Sequence, residues 1–251
     1  MARIITIVSG KGGAGKTTSA INLAAALNKL NKNVIVVDAN LNTPNLGIHL
    51  GAPIVPISLN HVLNGKADIE EAIYEHYSGT KIVPSSLSIK ELTKFNTKNL
   101  SDVVKRLHHL TEFVIFDSAA GFGPEVMDTL GVSEEIIVVT NPEMPAVTDA
   151  LKTVKVAREM GKEVKGVIVT RHKGKSYEMS LSSIKSMLET PIIGIIPEDD
   201  KVKEALSKRD AIMHTHPRSK VARKYLEIAR KIAGDIVDEG NWFSRLFKRE
   251  Y

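Results

Sequence analysis

The segment that most constrains this chain is Gly10-Lys11-Gly12-Gly13-Ala14-Gly15-Lys16-Thr17, which follows the apolar run Ile4–Val8 and leads into a helical pattern beginning near Lys16. Strand, glycine-rich loop and helix N-terminus, in that order, build an anion nest. The glycine backbone turns its N–H groups inward and the helix dipole adds positive potential. Lys16 has the reach to meet terminal phosphates, and the Thr17 hydroxyl is placed to ligate Mg²⁺. The expected occupant is the phosphate chain of a nucleotide, touching residues 10 to 17 and the adjoining Thr18.

Such a loop stands on a parallel sheet, and the remaining sequence supplies one. Apolar runs at Ile4–Val8, Val34–Val37, Phe113–Phe116, Ile136–Val139, Val164–Val169 and Ile192–Ile196 are rich in Val and Ile, with few polar interruptions. Strands covered on both faces read this way. Helical patterns lie between them, near 16–30, 99–110, 145–160, 177–189 and 201–208. A longer one over 218–236 carries Val221, Tyr225, Ile228, Ile232 and Ile236 at spacings of three or four. Alternating strand and helix predicts a single α/β domain over 1–238, a mostly parallel twisted sheet with helices on both faces. A chain of 251 residues suits one such domain. Two carboxylates then fall where a metal needs them. Asp38 and Asp117 each close a strand on the side where open parallel sheets bind ligands. Each is expected to hold Mg²⁺ through water, since that ion keeps much of its hydration shell. Gly121 is placed to offer its N–H to a terminal phosphate.

Composition removes several alternatives. Cysteine is absent, which excludes disulfides, thiolate catalysis and cysteine-held metal clusters. No stretch approaches the ~20 apolar residues that span a bilayer, and the first ten residues lack a signal-peptide apolar core. A cytoplasmic chain is the expectation. The net charge of +5 is concentrated at one end: residues 201–251 hold 13 Lys/Arg against 7 Asp/Glu, the rest 21 against 22. That bias suits an anionic partner surface.

With Lys11 just inside the loop, the chain resembles the MinD/ParA group of deviant P-loop ATPases, and MinD-like proteins most closely. The segments Asp38 to Gly47 (DANLNTPNLG) and Asp117 to Gly121 (DSAAG) are similar to the two switch segments of that group. Thr140–Glu143, Thr148–Ala150, Ile195–Asp199 and Pro217–Lys220 carry the likeness through most of the chain. The resemblance implies Mg-ATP as cofactor and a homodimer in the ATP-bound state, with Lys11 reaching the partner's phosphates. It implies Lys16 and Asp117 as catalytic groups and places Asn141, Thr170, Arg171 and Pro197 among the nucleotide contacts, the last three beside adenine. Two positions depart from the pattern. Asn40 stands where most relatives carry an Asp that orients the attacking water, so slow hydrolysis is expected. Thr170 replaces an Asn that reads the base edge.

The last residues differ in kind. Beyond Gly240, Trp242, Phe243, Leu246 and Phe247 form one apolar stripe on a helix, flanked by Arg245, Lys248 and Arg249. The segment 239–251 is similar to the membrane-targeting helix of MinD. Two such tails joined in a dimer would hold an anionic membrane far more firmly than one. The leading expectation is therefore an ATPase that positions a cellular structure from the membrane and is stimulated by a partner protein. The alternatives are a DNA-segregation ATPase using Arg218, Lys220, Arg223 and Lys224 against DNA phosphates, and a nucleotide-binding regulatory scaffold.

Overall fold

The Val- and Ile-rich runs form one eight-stranded sheet in the computed structural model, which describes residues 1–88 and 99–234. The strands are β1 Arg3–Ser9, β2 Val34–Ala39, β3 Tyr74–Glu75, β4 Lys81–Val83, β5 Phe113–Ala120, β6 Glu135–Thr140, β7 Glu163–His172 and β8 Ile192–Pro197. Their order is β3-β4-β2-β5-β1-β6-β7-β8, parallel throughout except for the antiparallel edge pair β3–β4. After β1 the chain crosses β5 to reach β2, and after β5 it crosses β1 to reach β6. Strand order therefore reverses about β1, which is where an open α/β sheet opens its binding crevice.

Alternate residues of each strand serve opposite layers. Ile5 and Ile7 face a cluster completed by helix α1 (Lys16–Lys29) and α10 (Lys220–Ala233), while Ile4 and Val8 face the other side. That second side is covered by α3 (Leu59–Leu63), α4 (Leu100–Leu107), α5 (Pro124–Val132), α6 (Met144–Glu159) and α7 (Leu181–Leu188). Three shorter helices lie in the connections: α2 (Leu46–His49), α8 (Lys201–Ser207) and α9 (Ile212–Thr215). The expected class, a single α/β domain with helices on both faces, is the one observed.

The elements depart from expectation in a few places, each with a local cause. Edge strands β3 and β4 are only two and three residues long, too short for a period-two pattern to show. Helix α5 begins with Pro124 at its first turn, behind Gly123, a start signal that reads equally as loop. The helix expected from 177 starts instead at Leu181, because Ser180 caps it by accepting from the Ser183 amide. The last helix closes at Ala233, where Gly234 takes φ 77° as a left-handed C-cap. Ile236 and the tail residues Trp242, Phe243, Leu246 and Phe247 lie outside the described residues.

Candidate functional site

The glycine-rich loop bridges the carboxyl end of β1 and the first turn of α1, and neighbouring elements pin it. Gly13 and Gly15 take φ of 77° and 94°, in the left-handed region that a β-carbon disfavours. A β-carbon on Gly10 would lie 2.5 Å from the Asp149 carbonyl oxygen, so α6 passes directly against the loop. From β7, the Thr170 hydroxyl donates to the Ala14 carbonyl at 2.7 Å. The Ser9 hydroxyl donates to the Lys11 carbonyl, also at 2.7 Å. Lys11, Gly12 and Gly13 are exposed, and nothing lies within 4 Å of where β-carbons on the two glycines would sit. The concave side is thus open and its limbs are fixed.

Below the loop sit charges that a folded protein seldom buries. Lys16 opens α1 and is buried, which lowers its ammonium pKa while the Asp117 charge draws it back up. Asp38 and Asp117 lie side by side in register on β2 and β5. Asp117 is within β5 rather than at its end, because the strand continues to Ala120, which pairs with Ser9. Burial pushes the Asp117 carboxyl up to about 6, opposed by the nearby Thr17 hydroxyl and Lys16 ammonium. Yet neither of its oxygens reaches hydrogen-bond geometry with any group, so these neighbours act by proximity. Asp38 is likewise raised well above the usual carboxylate range, by burial and then by the Asp117 charge.

The two carboxylates are otherwise unlike. Asp38 accepts from the amides of Asn40 (3.2 Å), Asn45 (3.1 Å) and Leu46 (3.0 Å), and so clamps the 40–46 loop. Its oxygens are occupied by backbone, whereas those of Asp117 are free. Two other candidates are engaged in unexpected ways. The Asn40 amide closes a turn, donating to the Thr43 carbonyl at 2.6 Å and accepting from the Thr43 hydroxyl at 3.0 Å. The Gly121 amide donates to the Ser9 carbonyl at 3.1 Å instead of pointing at open space.

Beside the loop lies a cavity of about 360 Å³ lined by Gly15, Thr18, Thr170, Arg171, Pro197 and the buried Tyr225, among others. It brings together the three residues expected around adenine. The Thr170 hydroxyl, however, faces the Ala14 and Thr140 carbonyls. Asn141 falls in a neighbouring cavity that shares Arg171 and Glu198 with the first. Tyr225 was legible only as one more apolar residue on a helix face. In the fold its hydroxyl meets that of Ser19 at 3.1 Å, one turn along α1.

A phosphate loop at the reversal point of a parallel sheet, over buried Lys16 and Asp117, defines a P-loop nucleotide-binding protein. Residues 5–212 match the family model described as the CobQ/CobB/MinD/ParA nucleotide binding domain, and the chain belongs to that family. It is 39% identical to an uncharacterized ATP-binding protein of Methanocaldococcus jannaschii, over 93% of this chain and 89% of the relative. It is 32% identical to the septum site-determining protein MinD of Thermotoga maritima, over 99% and 94%. Among solved structures, it superimposes on MinD of Pyrococcus horikoshii complexed with Mg-ADP with a TM-score of 0.88 and 33% identity, over 92% and 96%. The family comprises nucleotide-binding ATPases, and the residues here fit such a ligand. The orphaned oxygens of Asp117 lie beside Thr17 and Lys16, and open space fronts Gly12 and Gly13.

Proposed function

We propose that this protein is a MinD-like ATPase. In this reading Mg-ATP drives two copies together across their phosphate loops, and the dimer sits on an anionic membrane through 239–251. A partner protein then stimulates slow hydrolysis and release, and the cycle positions a cellular structure. The supporting observation is a centre divided in two: Lys16 and Asp117 are buried and poised, while Lys11 stands exposed on the same loop. Phe122, next to Gly121, and Met144, at the start of α6, are 40% and 57% exposed, apolar surface that a second copy would cover.

Bound Mg²⁺ would offset the charge that builds up on the phosphates. The chain's own residues do the rest. Lys16 would hold the phosphates from inside the loop, and Thr17 with Asp117 would hold the metal. Asp38 fixes the 40–46 loop, and Lys11 reaches across the dimer. In this resting arrangement Asn40 and Gly121 are bonded within the chain, so both must rearrange to touch a terminal phosphate or its attacking water. That requirement fits slow basal turnover awaiting a partner. The protein would be cytoplasmic and peripheral to the membrane while ATP-bound.

Exposure of Arg218, Lys220 and Arg223 supports a second reading, a DNA-segregation ATPase whose binding falls steeply with salt. Co-sedimentation with anionic liposomes and with duplex DNA, under ATP, ADP and no nucleotide, separates the two. ATP-dependent pelleting with liposomes, lost on deletion of Asn241–Tyr251, supports the first. Pelleting with DNA alone supports the second. A tail-less protein that binds liposomes as well as the intact chain removes the membrane half.

A further inference from the structure

Two segments frame the phosphate loop, and each is anchored separately. The 40–46 loop hangs from β2 by the three amide bonds to Asp38 and by Leu41, which is 3% exposed in the core. The Gly121–Gly123 segment hangs from β1 by the Gly121 amide on the Ser9 carbonyl. Their exposed outer ends meet in one contact. The Asn42 side-chain amide donates to Glu125 Oε1 at 2.9 Å, joining the loop apex to the first turn of α5. The other carboxylate oxygen of Glu125 is buried and has no hydrogen-bond partner. Asn42 is therefore the one side chain seen bonding this carboxylate among the described residues, and a charged acceptor makes the bond stronger than a neutral pair.

We propose that Glu125 is a positioning residue for hydrolysis: through Asn42 it holds the loop bearing Asn40 in register with the Gly121–Gly123 segment, so that the two shift together. Joined, a displacement of Gly121 on one side is transmitted to the turn closed by Asn40 and Thr43 on the other. Nucleotide affinity should not depend on this latch, because Thr170 of β7 pins the phosphate loop and neither Asn42 nor Glu125 bonds to it.

This inference rests on the ATPase reading for its kinetic arm alone. Asn42→Asp sets two carboxylates against each other. It should lower kcat for ATP about tenfold, the order of one lost charge-assisted hydrogen bond, and leave the Kd for ADP within about twofold. Adding Glu125→Gln to Asn42→Asp rebuilds the bond with donor and acceptor exchanged, and should bring kcat back to within about threefold of the parent. A merely destabilising change would not be rescued in this way. Hydrogen exchange of the Asn42, Thr43, Asn45 and Leu46 amides in the full-length, nucleotide-free protein gives the second arm: faster in Asn42→Asp, restored in the double variant. Parent-like kcat or parent-like exchange in Asn42→Asp overturns the latch, as does a double variant no better than the single. A parent protein without ATP turnover sinks the ATPase reading instead, and the exchange arm still decides the latch.

Discussion

The two ends of the same sheet handle buried charge in opposite ways. At the amino end, Arg3 of β1 and Glu135 of β6 form a bidentate pair, with Nε and Nη2 donating at 2.8 and 2.7 Å. Arg3 also lies over the Phe113 ring, 5.3 Å from its centroid, and donates to the Ile232 carbonyl of α10. The charged groups of this pair find their partners inside the chain. At the carboxyl end, Lys16 is buried with its charge opposed by desolvation, and both oxygens of Asp117 are unpartnered. A fold that pairs the Arg3 and Glu135 charges internally leaves those of Asp117 for a ligand to complete. The amino end fastens α10 to the sheet, whereas the carboxyl end holds the reactive groups in readiness. The difference predicts that substitutions at one end change stability and those at the other change chemistry.

The sharpest break in that comparison is Lys16→Ala. It removes the buried cation under the loop and should reduce ATP turnover by about 1000-fold, the order reached when a preorganised charge on a transferring phosphoryl group is lost. The thermal midpoint should change little or rise, since a desolvated charge leaves with the side chain. Steady-state hydrolysis beside calorimetry checks both. Equal turnover in variant and parent would mean that the activity belongs to some other site.

The next effect is a pH dependence carried by Asp117. Its carboxyl stands near 6 in the fold against an ordinary 3.8, so the native state holds a proton that the unfolded chain has released. Stability from this group is fully present below the unfolded value and is lost as pH rises through about 6. Asp38, raised by the same burial and by the Asp117 charge, works in the same sense. Between pH 4 and pH 7, Asp117→Asn should gain about 3 kcal/mol on the parent in nucleotide-free, Mg²⁺-free protein, as an order of magnitude. Denaturant melts of both proteins at several pH values read this directly. A difference that stays constant across the range would place Asp117 in a partnered environment like that of Glu135.

How much of this was legible in the sequence follows from how local each signal is. The loop, its flanking strand and helix, and the identity of Lys16 and Thr17 all come from contiguous residues, and the fold sets these where expected, while Asp117 falls inside a strand that runs on to Ala120. The six long strands announce themselves because burial on both faces demands unbroken Val and Ile. The pair β3–β4 does not, since its five residues include Glu75 and Lys81. Roles that depend on where loop amides end up were out of reach. Asp38 turns to three backbone N–H groups and Gly121 to the Ser9 carbonyl because of how the 40–46 and 121–123 segments fold back. The Asn42–Glu125 contact joins residues 83 positions apart, with no periodicity to betray it.

At the satisfied end, Arg3→Ala tests the other half of the comparison. It strips the 11%-exposed Glu135 carboxylate of its bidentate partner, with Lys165 at 4.0 Å its remaining ion pair among the described residues. The Arg3 side chain is itself 36% exposed, so solvent screens part of the loss. A destabilisation of about 2 kcal/mol is expected, below the range for a fully buried pair. Turnover per folded molecule should be unchanged. An Arg3→Ala protein that melts with the parent but hydrolyses ATP poorly would reverse the assignment of the two ends.

The smallest expected effect lies where the two kinds of bonding meet. Thr170 belongs to the crevice by position, since it lines the cavity beside the loop, yet its hydroxyl is bonded within the chain to the Ala14 carbonyl. Thr170→Val keeps the shape and removes the donor, leaving that carbonyl short of one bond. The net value of such a bond is about 1 kcal/mol, so ADP affinity should fall about fivefold through a looser loop. If Thr170 instead reads the base, the loss should differ between ADP and GDP. Calorimetric titration of both nucleotides distinguishes the cases. An equal loss assigns Thr170 to the scaffold that pins the loop, and an unequal one assigns it to the unsatisfied, ligand-reading side of the crevice.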